Sequence, residues 1–173
     1  AVGPDGTAYV TDSMTPVIYA VSTEGAVDVL LRDGPLAEGG FLNGIDFHPD
    51  GHLLVALAGA RALLKIDLEP EPTISTVSIP EPFSADGLTL TPEGALIAVA
   101  TTGDPEAPRS EVLRLTSDDG WASASIEDRA DAADAATTAA VREGAVYVLD
   151  ARFGDMGADE PAPHFDITRV RFP

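Results

Sequence analysis

The stretch Asn43-Gly44-Ile45-Asp46-Phe47-His48-Pro49-Asp50-Gly51 runs directly into His52-Leu53-Leu54-Val55-Ala56-Leu57-Ala58. Its first five residues read as a short strand. Pro49 then pre-sets φ for a turn, and Gly51 is free to take positive φ. The nearly continuous apolar run after the turn has the character of a strand buried on both faces. Ala62 to Asp67 makes a third strand and Thr73 to Ile79 a fourth, with Ile74, Val77 and Ile79 set among Thr and Ser. Four antiparallel strands within about forty residues make one blade of a β-propeller.

The same turn recurs. Gly3-Pro4-Asp5-Gly6, Thr91-Pro92-Glu93-Gly94 and Val141-Arg142-Glu143-Gly144 each lead into an apolar run, and the closing glycines of the four turns lie 45, 43 and 50 residues apart. A period of that length built from short strands is the mark of a solenoid or propeller. A third unit follows the pattern of the second, with strands over Asp86 to Leu90, Ala95 to Ala100, Glu111 to Leu115 and Trp121 to Ile126. Gly103 to Ser110 reads as a loop rich in Gly, Pro and charge, and Ser117-Asp118-Asp119-Gly120 as a tight turn. Ala130 to Ala136 holds five alanines, and its propensity predicts an inserted helical turn before the last unit.

The outer units are incomplete in complementary ways. The first shows Thr7 to Thr11, Val17 to Val21 and Val27 to Leu31, with Ala1-Val2 only the tail of an inner strand; the last shows Thr137 to Val141, Ala145 to Leu149 and Phe165 to Phe172. The expectation is an all-β, partial β-propeller of four-stranded antiparallel blades. Its units fall at about residues 1–40, 41–82, 83–128 and 129–173, four blades from the C-terminal part of a six-bladed ring. An open arc would leave apolar sheet faces and unpaired edges, which predicts self-association, pairing with the remaining blades, or aggregation.

Composition narrows the partners. The 173 residues carry 29 Asp plus Glu against 10 Lys plus Arg, a formal net charge of −19, and Lys65 is the only lysine. A field of that sign repels nucleic acid and anionic membranes. No apolar run reaches the roughly 18 residues of a membrane span. The absence of cysteine excludes disulfides, thiolate metal sites and a cysteine nucleophile. Few lysines among many alanines and arginines fit GC-rich coding bias and do not assign a compartment.

Aligning the units on their turn glycines places Asn43 and Asp86 at one position, eight residues before Gly51 and Gly94. Each is followed by glycine and then by apolar residues two and four places on. With a turn one residue shorter, the equivalent in the last unit is Thr137. Equivalent inner-strand starts converge on the channel mouth of a propeller. An amide oxygen and a carboxylate placed there are hard donors suited to Ca²⁺, Mg²⁺ or Mn²⁺. Asp12 and Asp150, each six residues after a turn glycine, read as caps on strand ends that bond loop amides. His48 and His52 flank a surface turn and are expected to be solvated. Trp121 reads as packing, and His164 lies in the acidic loop Asp155 to Asp166. Gly-x-Ser-x-Gly, P-loop and His-Glu-x-x-His patterns are absent, so serine hydrolase, nucleotide and zincin chemistry have no support.

The string Asn-Gly-Ile-Asp-Phe-His-Pro-Asp-Gly at 43–51, followed by Ala-Asp-Gly-Leu-Thr-Leu-Thr-Pro-Glu-Gly at 85–94, resembles the senescence-marker-protein/gluconolactonase-like six-bladed propellers. The strictosidine-synthase-like proteins are more distant relatives. The resemblance covers nearly the whole chain as the last four blades. It implies a divalent cation in the channel, calcium foremost, with Zn²⁺, Mg²⁺ and Mn²⁺ as alternatives. Such a cation is held by a Glu of the first blade, by Asn residues at inner-strand starts and by an Asp of a later blade. On that resemblance Asn43 matches a metal-ligating asparagine, and Asp86 matches the residue that is both metal ligand and general base. The Glu-bearing blade and the other Asn position fall outside the chain, and Thr137 is not a standard ligand. Two protein ligands are few for an ion that takes about six oxygens.

The function implied is a divalent-metal-dependent lactone or ester hydrolase acting on a small molecule, with Asp86 accepting a proton from attacking water. The alternative is a non-catalytic propeller that binds a small molecule, carbohydrate or protein through the same channel. Condensation chemistry of the strictosidine-synthase type finds no residue here to argue for it.

Overall fold

A computed structural model of the chain describes residues 1–133, 135–155, 157 and 164–173. These form four antiparallel sheets, each with its strands in sequence order. The first sheet comprises β1 (Ala8–Asp12), β2 (Val17–Val21) and β3 (Val27–Arg32), with Val2 bridged to Ala8. The second comprises β4 (Leu42–His48), β5 (His52–Leu57), β6 (Ala62–Asp67) and β7 (Thr73–Thr76). The third comprises β8 (Ser84–Leu90), β9 (Leu96–Asp104), β10 (Ala107–Thr116) and β11 (Ser125–Asp131). The last comprises β12 (Ala136–Arg142), β13 (Ala145–Asp150) and β14 (Asp166–Val170). Strand β4 packs on β8 and β8 on β12, so the inner strands follow one another around an axis as in a propeller arc. The expected all-β propeller fold is the one observed.

The recurring turns do what their sequence predicts. Gly6, Gly51 and Gly94 have φ of 86°, 90° and 86°, and each donates its amide three residues back at 2.9–3.0 Å, to Gly3, His48 and Thr91. In the fourth turn Glu143 (φ 51°) and Gly144 (φ 74°) lie between the paired Arg142 and Ala145, a two-residue hairpin and hence one residue shorter.

Packing explains why second strands are apolar throughout. Every residue of β5 is buried. Its Leu54 and Ala56 face the third blade with Leu96 and Leu113, while Leu53, Val55 and Leu57 face the first with Ile18 and Leu36. Each aliphatic side chain so buried contributes roughly 1.5–3 kcal/mol, against about 0–1 kcal/mol for an exposed ion pair. The blades are therefore held by shared apolar faces. Polar ties add direction: Asp46 accepts the Leu90 amide at 2.6 Å, and Arg61 donates to Pro82 O and Gly103 O at 3.0 and 2.9 Å. A buried Glu111 accepts from Thr102 and pairs with Arg129, which also pairs with Glu81.

Many of the acids fasten turns. Asp5, Asp12, Asp104, Asp119 and Asp150 each accept an amide two to four residues further on, at 2.8–3.1 Å. Hydrogen bonds of this kind hold the Asp5, Asp12 and Asp119 carboxyls below the ordinary range.

Three local expectations are corrected. Residues 103–110 are no loop: β9 and β10 stay paired to Asp104 and Ala107, closed by a two-residue turn in which Asp104 accepts the Glu106 amide. The hairpin continues because Thr101 and Thr102 still find cross-strand partners in Ser110 and Arg109. Trp121 precedes the outer strand, which begins at Ser125, because Asp119 gathers the amide and hydroxyl of Ser123 into a turn. The described residues of the alanine-rich segment are not helical. Strand β11 reaches Asp131 and β12 starts at Ala136, joined by a turn with Ala136 N bonded to Ala133 O at 3.0 Å; strand pairing outweighs alanine's helix propensity there. Asp134 lies outside the described residues.

The two end sheets each show a face that stays largely exposed among the described residues. In the first, the cross-strand rows Val10–Tyr19–Val29 and Ala8–Val21–Val27 share a face on which Val10, Val27 and Val29 are 45%, 61% and 47% exposed. In the last, the rows Thr138–Leu149–Ile167 and Ala140–Tyr147–Arg169 do so.

The inner strands approach more closely than side chains allow. A Cβ on Gly44 would overlap Asp86 O and lie 2.6 Å from Leu88 N; one on Gly87 would lie 2.7 Å from Thr138 Cα and 2.8 Å from Thr137 O. Gly44→Ala and Gly87→Ala should each lower the unfolding free energy by about 1–3 kcal/mol, the cost of overpacking. Urea denaturation measures this, and an unchanged midpoint would show that the strands part freely.

Candidate functional site

Asn43, Asp86 and Thr137 occupy equivalent positions for a structural reason. In the β4–β5 ladder Leu42 pairs with Leu57 and Ile45 with Val55, so β4 advances three residues while β5 advances two. The β8–β9 ladder skips in the same way between Ala85–Ala100 and Leu88–Ala98. The β12–β13 ladder skips between Ala136–Asp150 and Thr138–Leu149. Each inner strand thus opens on a β-bulge that contains the candidate residue. A bulge bends the strand and re-aims a side chain, and bulges are frequent beside active sites. The Asn43 carbonyl accepts the Thr11 hydroxyl at 2.7 Å, which ties the bulge to the first sheet and leaves its side-chain amide for the cavity.

All three residues line one cavity of about 450 Å³ at the open end of the inner strands. That volume falls within the range of small-molecule sites. Burial pushes the half-buried Asp86 carboxyl above its ordinary value, offset in part by the Asn43 amide that faces it. Ser84, Thr101 and Ser110 add hydroxyls to the lining, and the Ser84 hydroxyl is committed to Ala58 O at 3.0 Å. Apolar lining comes from Ala85, Val99 and Ala100, and from Phe41 and Phe153.

No group of three or more His, Asp or Glu suited to a metal is present among the described residues. The amide oxygen of Asn43, the carboxylate of Asp86 and the hydroxyl of Thr137 are nonetheless hard donors in one cavity. The desolvated Asp86 is the kind of anion that a divalent cation would compensate. The set fits a hard cation as part of a larger group of ligands.

Elsewhere the predicted residues have structural work. Asp12 accepts the Met14 and Thr15 amides at 2.9 and 3.1 Å, and Asp150 accepts the Arg152 amide at 3.0 Å, as expected of strand-end caps. His164 is exposed, 3.9 Å from Asp166; residues 156 and 158–163 of its acidic loop lie outside the described residues. The solvated reading of the other histidines is corrected. His52 is 3% exposed, and the two imidazoles stack at 4.4 Å with Trp121 edge-on to His48 at 6.2 Å. They pair directly across the β4–β5 turn, and the loop carrying Trp121 folds over them. Sequence reasoning missed Phe41 and Phe153. The only local signal was the Gly39-Gly40 pair before Phe41, which marks an unusual backbone. Phe41 itself has φ 60°, a region that costs a non-glycine residue about 1–3 kcal/mol.

No protein-family profile matches the chain, and no curated protein matches it in sequence. Solved structures match in fold. Virginiamycin B lyase from Staphylococcus aureus is 16% identical with a TM-score of 0.62, over 85% of this chain and 46% of that one. A gluconolactonase-like protein is 20% identical with a TM-score of 0.59, over 86% of this chain and 53% of that one. A luciferin-regenerating enzyme is 14% identical with a TM-score of 0.63, over 99% and 60%. The chain spans about half the length of these structures.

The stacked histidines generate a pH prediction. Burial first, then the charges of His48 and Lys65, lower the His52 pKa to about 4, against the opposing pull of Asp67 and Asp50. The unfolded chain binds that proton near pH 6.5, so acid favours unfolding. Stability should fall as pH drops from about 6.5 to about 4, with no further loss from this group below that. His52→Phe, which keeps the stack and removes the proton site, should flatten that part of the profile in thermal melts. An unchanged slope would assign the acid lability to other groups.

Proposed function

We propose that the chain carries part of the active centre of a divalent-metal-dependent lactone or ester hydrolase. The observation that carries this reading is the convergence of Asn43, Asp86 and Thr137, each on its own β-bulge, in one cavity with Asp86 desolvated. The fold likeness to a gluconolactonase-like protein and to a luciferin-regenerating enzyme is compatible with it. Asn43 and Asp86 would hold the cation, calcium foremost, through oxygen. A bound cation supplies polarisation of the substrate carbonyl and neutralises charge developing on its oxygen.

The residues of the chain do the rest. Asp86 accepts the proton of the attacking water; a cation held beside it would keep the carboxylate ionised and make it a modest base. The Asn43 amide faces that carboxylate and orients it. The bulges fix both side chains on strand backbone, which holds a constellation more firmly than a loop does.

A second reading, a propeller that binds a small molecule without transforming it, is favoured by the single carboxylate in the cavity lining and the absence of an acid or histidine cluster among the described residues.

Two measurements separate the readings. Calcium or manganese should bind the chain in a calorimetric titration, and Asp86→Asn and Asn43→Ala should each weaken it at least about tenfold, or about 1.4 kcal/mol. Lactone hydrolysis by the whole protein should be abolished by EDTA, restored by the cation, and lowered at least about a hundredfold by Asp86→Asn. Hydrolysis that survives Asp86→Asn would remove that residue from the base role. Ligand binding without turnover would favour the second reading.

A further inference from the structure

Phe41 and Phe153 are 50% and 58% exposed, and both line the cavity that holds Asp86. They come from the blades on either side of the Asp86 blade. Phe41 precedes β4, and Phe153 follows β13. Single exposed aromatics are common and need no explanation. Two of them on opposite sides of one concave, otherwise small-residue wall are a different matter, since Ala85, Val99 and Ala100 leave the space between them open.

Both side chains are held by their backbones. Phe41 has φ 60° and follows Gly39 and Gly40, also at positive φ. Its carbonyl accepts the Ala58 amide at 3.0 Å, and the loop sits so close to residues 58–60 that a Cβ on Gly59 would overlap Gly39 O. Phe153 opens a 3-10 turn over Phe153–Asp155, after Arg152 at φ 49°. Arg152 is fixed by the Asp150 carboxylate at its amide and by Asp166 and Asp155 at its guanidinium. A strained backbone that presents a half-exposed phenyl ring is not accounted for by core packing.

We propose that Phe41 and Phe153 form an aromatic clamp at the cavity mouth that receives an aryl or alkyl substituent of the substrate. The carbonyl end of the substrate then lies toward Asn43 and Asp86. The substrate class is therefore an apolar-substituted lactone or ester, not a polyhydroxylated sugar lactone, and this rests on the hydrolytic reading of the same cavity. The polar groups of the lining, Asn43, Asp86, Thr101, Ser110 and Thr137, are left for the carbonyl end, while the mouth offers the two phenyl rings. An apolar ring between two phenyl faces gains from burial and from aromatic contact.

The test uses equilibrium binding of two non-hydrolysable probes, a phenyl-substituted pyrrolidinone and a sugar lactam, so that recognition is read apart from turnover. The phenyl lactam should bind the wild-type chain about tenfold tighter than the sugar lactam. Phe41→Gly and Phe153→Ala should each weaken the phenyl lactam by about three- to tenfold and leave the sugar lactam within about twofold. Phenyl-lactam affinity unchanged in both variants would overturn the clamp, and so would equal affinity for both probes in the wild type. If the binding order holds while the whole protein hydrolyses no lactone with cation present, the hydrolytic reading falls and the clamp stands as a recognition site.

Discussion

The closeness of the inner strands governs the rest of the structure. Successive blades can share apolar faces only if their first strands meet near the axis, and there Gly44 lies against the backbone of Asp86 and Leu88, and Gly87 against Thr137 and Thr138. A side chain at either glycine would wedge the blades apart. The residue before each glycine is part of the same bulge, so the device that brings the strands together also sets Asn43 and Asp86 in the cavity. Packing and site are one feature here. A change that loosens the inner ring also moves the functional side chains.

The acidity of the chain has a mechanical side. Asp5, Asp12, Asp104, Asp119 and Asp150 accept nearby backbone amides and so determine how strands end and loops begin. Asp46 does similar work between blades through the Leu90 amide. Asp86 is different, since burial raises its pKa and its facing partner is an amide. The −19 charge thus does not single out an acidic binding surface. Many carboxylates stand in for backbone acceptors that short turns lack.

Where the sequence is periodic, it could be read closely. The turn glycines, strands β2 and β6, and the equivalence of Asn43, Asp86 and Thr137 all follow from registering the repeat, because a buried strand and a left-handed turn each demand particular residues. The bulges themselves could not be read, since an extra residue in one strand shows only against its partner. The hairpin through 103–110 was hidden for a related reason: Gly103, Pro105 and Pro108 signal a loop, and only pairing with β9 reveals a strand. His48 and His52 looked solvated because the loop that buries them arrives some seventy residues later in sequence. The phenylalanines of the cavity mouth belong to no repeat, and aromatic residues outside a period are read by default as packing.

The two end faces differ in chemistry. One is lined by Val10, Val21, Val27 and Val29 beside Tyr19; the other mixes Thr138, Tyr147 and Ile167 with Arg169. Contact between a first face and a last face is heterologous, and a heterologous contact has no twofold axis of its own. Repeated from molecule to molecule, it has two geometric outcomes: a closed ring, or an open helical filament. Were two such faces to meet, the angle between blades that sets the shape of the cavity would also decide between the two.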